Sequence, residues 1–224
     1  MLKMKDMLDY LQDVAGHHAD ELGVGLNSFG HKMFWVLSRL RLRFSRYPKL
    51  GEKLTVMTYP TGLNRLFATR QYQLIAENGE RLVESTSFWI VIDDAKFRPV
   101  KPFKMLADFG DRNPDKPRFF TDLDKIAEPE TPPENLLQYQ VLNSNIDLNR
   151  HLNNAFYGSY IVDTLGRLTG KLCHPKEFQI NFLMPGALNA VIRCGGKVMD
   201  DGTFYVDGRN AESGQLCFQA QGSL

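Results

Sequence analysis

Two spacings of apolar residues run along this chain, a helical one and an alternating one, and they occur twice in the same order. Met4, Met7, Leu8, Leu11, Val14 and Ala15 recur at helical spacing, so residues 3–20 are predicted to form an amphipathic helix. Gly23, Gly25, Asn27 and Gly30 then predict a turn-rich connection. From 33 to 47 the period drops to two. Trp35, Leu37, Arg39, Arg41 and Arg43 alternate with Val36, Leu40, Leu42 and Phe44, the pattern of a half-buried strand. Pro48 and Gly51 mark a turn, Lys53–Tyr59 reads as the next strand, and Leu66–Ala76 pairs with Arg81–Ile92 around Asn78-Gly79, a strong hairpin signal.

Residues 109–135 break this pattern. Pro114, Pro117, Pro129, Pro132 and Pro133 are interspersed with charges, which predicts a linker laid over the surface. Afterwards the order restarts, with a strand near 136–142, a helix at about 153–169 and strands near 177–184, 188–199, 203–210 and 214–221. Pro48 and Pro185 hold equivalent places, each after a helix and at the start of a new strand pair. The expectation is an α+β fold built by internal duplication, each half burying one helix under a curved antiparallel sheet. The halves are predicted at 1–108 and 136–224, joined by the linker 109–135.

Composition narrows the class without naming a function. The chain is 43% hydrophobic and 24% charged with a net charge of +1, an ordinary globular balance that makes no case for nucleic acid or membrane binding. The start Met1-Leu-Lys-Met-Lys-Asp6 has neither a signal-peptide nor a transit-peptide pattern, and no apolar run approaches a membrane span. Three cysteines, Cys173, Cys194 and Cys217, suit a reducing cytoplasm better than a disulfide framework. Cys173 is a conceivable nucleophile, with an inert thiol the simpler reading.

The chemistry-bearing residues concentrate in Asn143–Tyr160. Asp147, Asn149 and His151 fall within five residues, followed by Asn153 and Asn154 where the second helix starts and, later, Gly170 where it stops. Were 147–151 extended, the carboxylate, carboxamide and imidazole would share one side. Histidine can move a proton near neutral pH, a neighbouring aspartate would orient it, and the amide can hold a water or a carbonyl oxygen. Free N–H groups at the helix start would receive an oxyanion. Hydrolysis of an activated acyl group suits these parts. The other reading of such Asx-rich segments is turn and cap chemistry. A calcium loop from Asn145, Asp147 and Asn149 fails at Arg150 and Phe156, zinc lacks ligands, and no G-x-S-x-G supports a serine nucleophile. The reading needs neither metal nor cofactor. Arg39, Arg41, Arg43, Arg46 and Lys49 form a basic ridge, either a solvated strand face or a docking surface for an acidic partner.

The run Asp147-Leu-Asn-Arg-His-Leu-Asn-Asn-Ala-Phe-Tyr157 resembles the D-x-N-x-H-x-x-N-x-x-Y signature of the acyl-acyl carrier protein thioesterases. Ser85–Pro99 resembles that family's S-x-W-x-x-x-D and basic-Pro segment. The resemblance covers roughly residues 4 to 220. It implies a double hotdog fold, two tandem repeats of a long helix wrapped by an antiparallel sheet, and hydrolysis of fatty acyl thioesters on acyl carrier protein bearing a 4′-phosphopantetheine arm. It implies Asp147, Asn149 and His151 as catalytic residues and a substrate site that includes Asn153 and Tyr157. Met7, Leu8 and Leu11, with Met4 and Phe34, are the expected acyl-chain lining, and plain helix core is the simpler reading of that stripe. Two departures matter. The family's glutamate in the strand after the second helix is Pro185 here, within Ile180-Asn-Phe-Leu-Met-Pro185. Asp163 and then Glu177 are the substitute acids. The strand expected before the first helix is also missing. Rival readings are an acyl-coenzyme A thioesterase, a non-catalytic acyl-thioester-binding protein and, more distantly, dehydratase-like chemistry. A homodimer is compatible with the sequence.

Overall fold

The computed structural model describes residues 1–25, 33–96, 98–100 and 113–224. Asn27 and Gly30 of the expected turn, Phe97 of the second motif and residues 109–112 of the expected linker lie outside them. The chain forms two compact units, one of Asp9–Leu123 and one of Met1–Leu8 with Asp124–Leu224. We call them the N-terminal and C-terminal units. The division passes through the linker, between the two predicted halves, and also through the first helix, where the sequence pattern placed none.

Helix α1 is Met4–Glu21. It buries Met4, Met7, Leu8, Leu11 and Ala15, the helical stripe read from the sequence, and Gly23 at φ +71° ends the region. The N-terminal unit continues with strands β1 (Met33–Phe44), β2 (Leu54–Asn64), β3 (Phe67–Ala76), β4 (Arg81–Asp93) and the two-residue β5 (Arg98–Pro99). Its antiparallel order is β2-β3-β4-β1, with β5 on β4. Asn78-Gly79 makes the expected turn, with Gly79 at φ +85° and the Asn78 carboxamide oxygen accepting from the Glu80 amide.

One detail of β1 departs from its sequence pattern. A bulge between Leu37 and Arg39 flips the phase of the strand. Leu37 therefore stands opposite Trp89, and Leu40, Leu42 and Phe44 opposite Ser87, Ser85 and Val83, all on one face. Arg39, Arg41 and Arg43 occupy the other face without Leu37. Simple alternation grouped Leu37 with the arginines because a bulge leaves no mark in a hydrophobicity pattern.

The C-terminal unit contains β6 (Asn135–Gln140), α2 (Ala155–Thr169), β7 (Glu177–Phe182), β8 (Val191–Val198), β9 (Thr203–Asn210) and β10 (Leu216–Ser223). Its sheet order is β7-β10-β9-β8-β6. Gly170 closes α2 at φ +69°, its amide donating to the Gly166 carbonyl. Tyr157 of α2 packs on Phe218 of β10 with ring centroids 4.9 Å apart. The register groups Phe178, Ile180, Ala220, Phe204 and Val206 on that same helix-facing side.

Residues 113–134 contain no helix or strand, as the proline spacing predicts. They are nonetheless tightly held. In the N-terminal unit the Phe119 and Phe120 amides donate to Gln71 and Thr86, and Tyr59 donates to the Pro117 carbonyl at 2.7 Å. In the C-terminal unit Gln179 donates to the Asp124 carbonyl, Arg209 to Glu128 and Lys197 to the Thr131 carbonyl. Each half of the linker thus covers the outer face of one sheet.

Candidate active site

The segment 145–153 is a closed loop, not an extended strand. An isolated antiparallel bridge between Ile146 and Leu152 shuts it, and the Asp147 amide donates to the His151 carbonyl at 2.9 Å. The Arg150 amide returns to the Asp147 carbonyl, and Arg150 itself sits at φ +62°. The expected alternation of side chains over 147–151 therefore does not apply. A turn of backbone hydrogen bonds replaces it.

Asp147 is the centre of that turn. Its Oδ1 accepts the Asn149 amide at 2.8 Å and the His151 amide at 3.3 Å. Its carboxylate orients the backbone carrying Asn149 and His151; it does not grip the imidazole. Both of those side chains are exposed and, among the described residues, take no hydrogen-bond partner. The base of the loop is fixed by Asn145. Its carboxamide oxygen accepts the Leu142 amide and its carbonyl accepts the Asn153 amide at 2.9 Å. From sequence alone Asn145 stands out only as one of three Asx residues at the first calcium-loop positions.

The start of α2 corrects a second expectation. The Asn153 carboxamide oxygen accepts the Ala155 amide at 2.9 Å, so Asn153 is the cap. The Phe156 and Tyr157 amides donate to the Asn153 and Asn154 carbonyls. These first helical donors are already used, and none of the three is free to receive an oxyanion.

Tyr157 is a core residue, 2% exposed, and its hydroxyl has no well-formed hydrogen bond among the described residues. Burial raises its pKa far above the ordinary tyrosine value, with the nearby Gly186 backbone partly opposing. The segment after β7 lies directly against the loop, because the Leu152 amide donates to the Gly186 carbonyl at 2.8 Å. A Cβ on Gly186 would come within 3.0 Å of Leu152 Cβ, so the approach is close. Pro185, where the resemblance implies a glutamate, is the residue before that contact.

The two substitute acids are not brought to the loop. Asp163 stands eight residues into α2, about 12 Å along its axis from Ala155. There it accepts the Tyr139 hydroxyl at 3.1 Å and helps burial raise that tyrosine's pKa. Glu177 opens β7, whereas the loop adjoins the segment that follows the strand's far end at Phe182. Met7, Leu8 and Leu11 are at most 2% exposed, which either core or acyl lining would require.

The arginines of the basic ridge are engaged within their own unit. Arg39 lies over the Phe67 ring and donates to the Leu123 carbonyl, and Arg41 and Arg43 lie over Phe120 at 4.6 and 4.8 Å. Arg46 is paired with Glu52 at 2.6 Å and Glu80 at 2.8 Å, and the Glu52 carboxylate also accepts the Lys49 amide. The second motif is likewise hydrogen-bonded within its own unit. Trp89 donates to the Ser87 hydroxyl, which donates to Tyr72, and Asp93 caps the turn at Lys96.

Comparison with known proteins places these features in a family. Residues 1–108 match the acyl-ACP thioesterase N-terminal domain and residues 129–207 the C-terminal domain. The chain belongs to the acyl-ACP thioesterase family. It is 20% identical to a chloroplastic acyl-[acyl-carrier-protein] hydrolase of Cuphea viscosissima, over 72% of this chain and 42% of the relative. It is 23% identical to the chloroplastic dodecanoyl-[acyl-carrier-protein] hydrolase of Cinnamomum camphora, over 94% of this chain and 56% of the relative. The chain thus spans about half the length of these relatives. In fold it is similar to an acyl-ACP thioesterase from Bacteroides thetaiotaomicron, with a TM-score of 0.83, 21% identity and coverage of 99% and 89% of the two chains. Among the described residues no helix is long and apolar enough to cross a membrane.

Proposed function

We propose that this protein is a thioesterase that hydrolyses fatty acyl groups from acyl carrier protein, releasing free fatty acid and the carrier's pantetheine thiol. The observation that carries the reading is the loop 145–153, in which one carboxylate fixes the backbone of the Asn149 and His151 positions. It lies in the part of the chain matched by the family's C-terminal domain.

In this mechanism His151 takes a proton from water as the water oxygen bonds to the thioester carbonyl carbon. The Asn149 carboxamide donates to the carbonyl oxygen as it gains charge, a role assigned to it because the amides at the start of α2 are engaged. The tetrahedral intermediate then expels sulfur, the C–S bond breaks, and His151 returns the proton to the thiolate. Asp147 acts through the backbone it holds. Pro185 supplies no carboxylate, so His151 is the base in this account.

The finer fold assignment belongs with this reading. The helix-led order β2-β3-β4-β1 has a counterpart in β8-β9-β10-β7 after α2, which supports two tandem hotdog repeats. The α1 stripe Met7, Leu8 and Leu11 is assigned to the acyl chain. The three free thiols are consistent with a reducing compartment such as the cytoplasm.

Thiol release from one acyl group presented on carrier protein and on coenzyme A tests the proposal. Faster turnover on carrier protein supports it. Faster turnover on coenzyme A favours the acyl-coenzyme A reading, and tight binding without thiol release favours a non-catalytic binder.

A further inference from the structure

The helix-facing side of the N-terminal sheet holds a charge that its described surroundings do not neutralise. Arg70 of β3 is 8% exposed. Its Nη1 donates to His18 Nδ1 at 2.9 Å and to the Thr58 hydroxyl at 3.2 Å. Accepting that bond requires His18 Nδ1 to be unprotonated, so both acceptors are neutral. Among the described residues no carboxylate pairs with Arg70, and its Nε and Nη2 groups find no acceptor.

The nearby charges do not balance it. Lys116, seated over the Tyr59 ring at 4.9 Å, acts on His18 with the same sign as Arg70, and Glu21 of α1 opposes them. Burial, followed by Arg70, lowers the His18 pKa, and burial also lowers that of Arg70 with Tyr72 opposing. Opposite Arg70 across the sheet stand Pro60 and Ser87, neither of them a counter-ion. An uncompensated buried guanidinium is costly, and an apolar side chain of similar volume would fit without that cost. The guanidinium edge left open, Nε with Nη2, is the fork that matches two oxygens of a carboxylate or phosphate.

We propose that Arg70, with His18 beside it, forms an oxyanion-binding site in the N-terminal unit that takes the carboxylate or phosphate group of a small ligand. This site is made of other residues than the Asp147–His151 loop and does not depend on the thioesterase reading. Two sources share the chemistry: the carboxylate of a free fatty acid, and a phosphate such as that of a pantetheine arm.

The test titrates the full chain with octanoate and, separately, with inorganic phosphate at constant ionic strength. The His18 imidazole NMR signals and the thermal midpoint are followed. Wild type is expected to show a saturable His18 shift and a rising midpoint with at least one of the two anions. Response to octanoate alone identifies a carboxylate site, to phosphate alone a phosphate site, and to both a general oxyanion site. Arg70→Met is expected to weaken binding about tenfold to a hundredfold, the usual worth of a charged hydrogen bond. Its midpoint without anion should equal or exceed that of wild type. Arg70→Lys keeps the charge but not the fork, and carries the comparison with weakened binding if Arg70→Met does not fold. Absence of a saturable response to either anion in wild type, or unchanged affinity in both variants, overturns the proposal.

Discussion

The helix-facing sides of the two sheets differ more than their strand orders do. In the C-terminal unit that side is apolar, with Phe178, Ile180, Phe204, Val206 and Phe218 buried to 1% exposure or less. In the N-terminal unit the equivalent side carries Arg70, Tyr72, Ser85 and Ser87, all buried, and the Ser85 hydroxyl has no partner among the described residues. Polar groups are costly in a core unless something uses them. The C-terminal unit keeps its buried polar side chains, Gln179, Asn181, Asp207 and Gln219, on the opposite face of its sheet, and its candidate chemistry on the exposed loop before α2. The N-terminal unit also places polar side chains on the helix-facing side. Our proposals place reaction in the one and ligand recognition in the other.

The largest effect expected from breaking this division is at the loop. Asn149→Ala removes the assigned donor to the carbonyl oxygen, and kcat for acyl-carrier-protein hydrolysis should fall about 10²–10³-fold with an unchanged thermal midpoint. Steady-state kinetics beside a melting curve check this.

Next comes the tightness of the apolar face. A Cβ on Gly208 would meet the Phe218 ring at 2.1 Å. Gly208→Val is therefore expected to lower stability by about 1–3 kcal/mol in a urea titration.

Asp147→Ala should cost about 1–2 kcal/mol, because two backbone amides lose their acceptor, and should lower activity by loosening the loop. Asp147→Asn keeps one acceptor oxygen and should restore most of both. Equal losses in the two variants would assign the carboxylate a charge role that the geometry does not show.

The smallest effect lies inside the N-terminal unit. Ser85→Ala deletes a buried hydroxyl without a described partner, so stability should stay level or rise by a few tenths of a kcal/mol. A loss above about 1 kcal/mol would show that the hydroxyl is bonded, and would weaken the contrast between the two sides.

Much of this architecture was legible in the sequence. Both helices and the long strands follow from local signals, namely the α1 stripe, Asn78-Gly79, Gly170 and the alternation in β1. The linker's lack of helix and strand follows from its prolines. Other features needed three dimensions. The bulge beside Ser38 leaves no compositional trace, so simple alternation puts Leu37 on the wrong face. The arginines of β1 look like a solvated ridge until Phe120 is found beneath Arg41 and Arg43. In the site, Asp147, Asn149 and His151 were legible as a cluster. The closed turn was not, because two of its determinants are backbone hydrogen bonds and a left-handed Arg150. Asp163 resembled a spare acid in one dimension, and its bond to Tyr139 is a tertiary fact.

The assignment of chemistry to the loop is tested most directly by thiol release from acyl carrier protein, measured for His151→Ala against wild type with folding confirmed. His151→Ala is expected to lose about 10²–10⁴-fold in rate. Near wild-type release by a folded His151→Ala protein would contradict the assignment of chemistry to the loop.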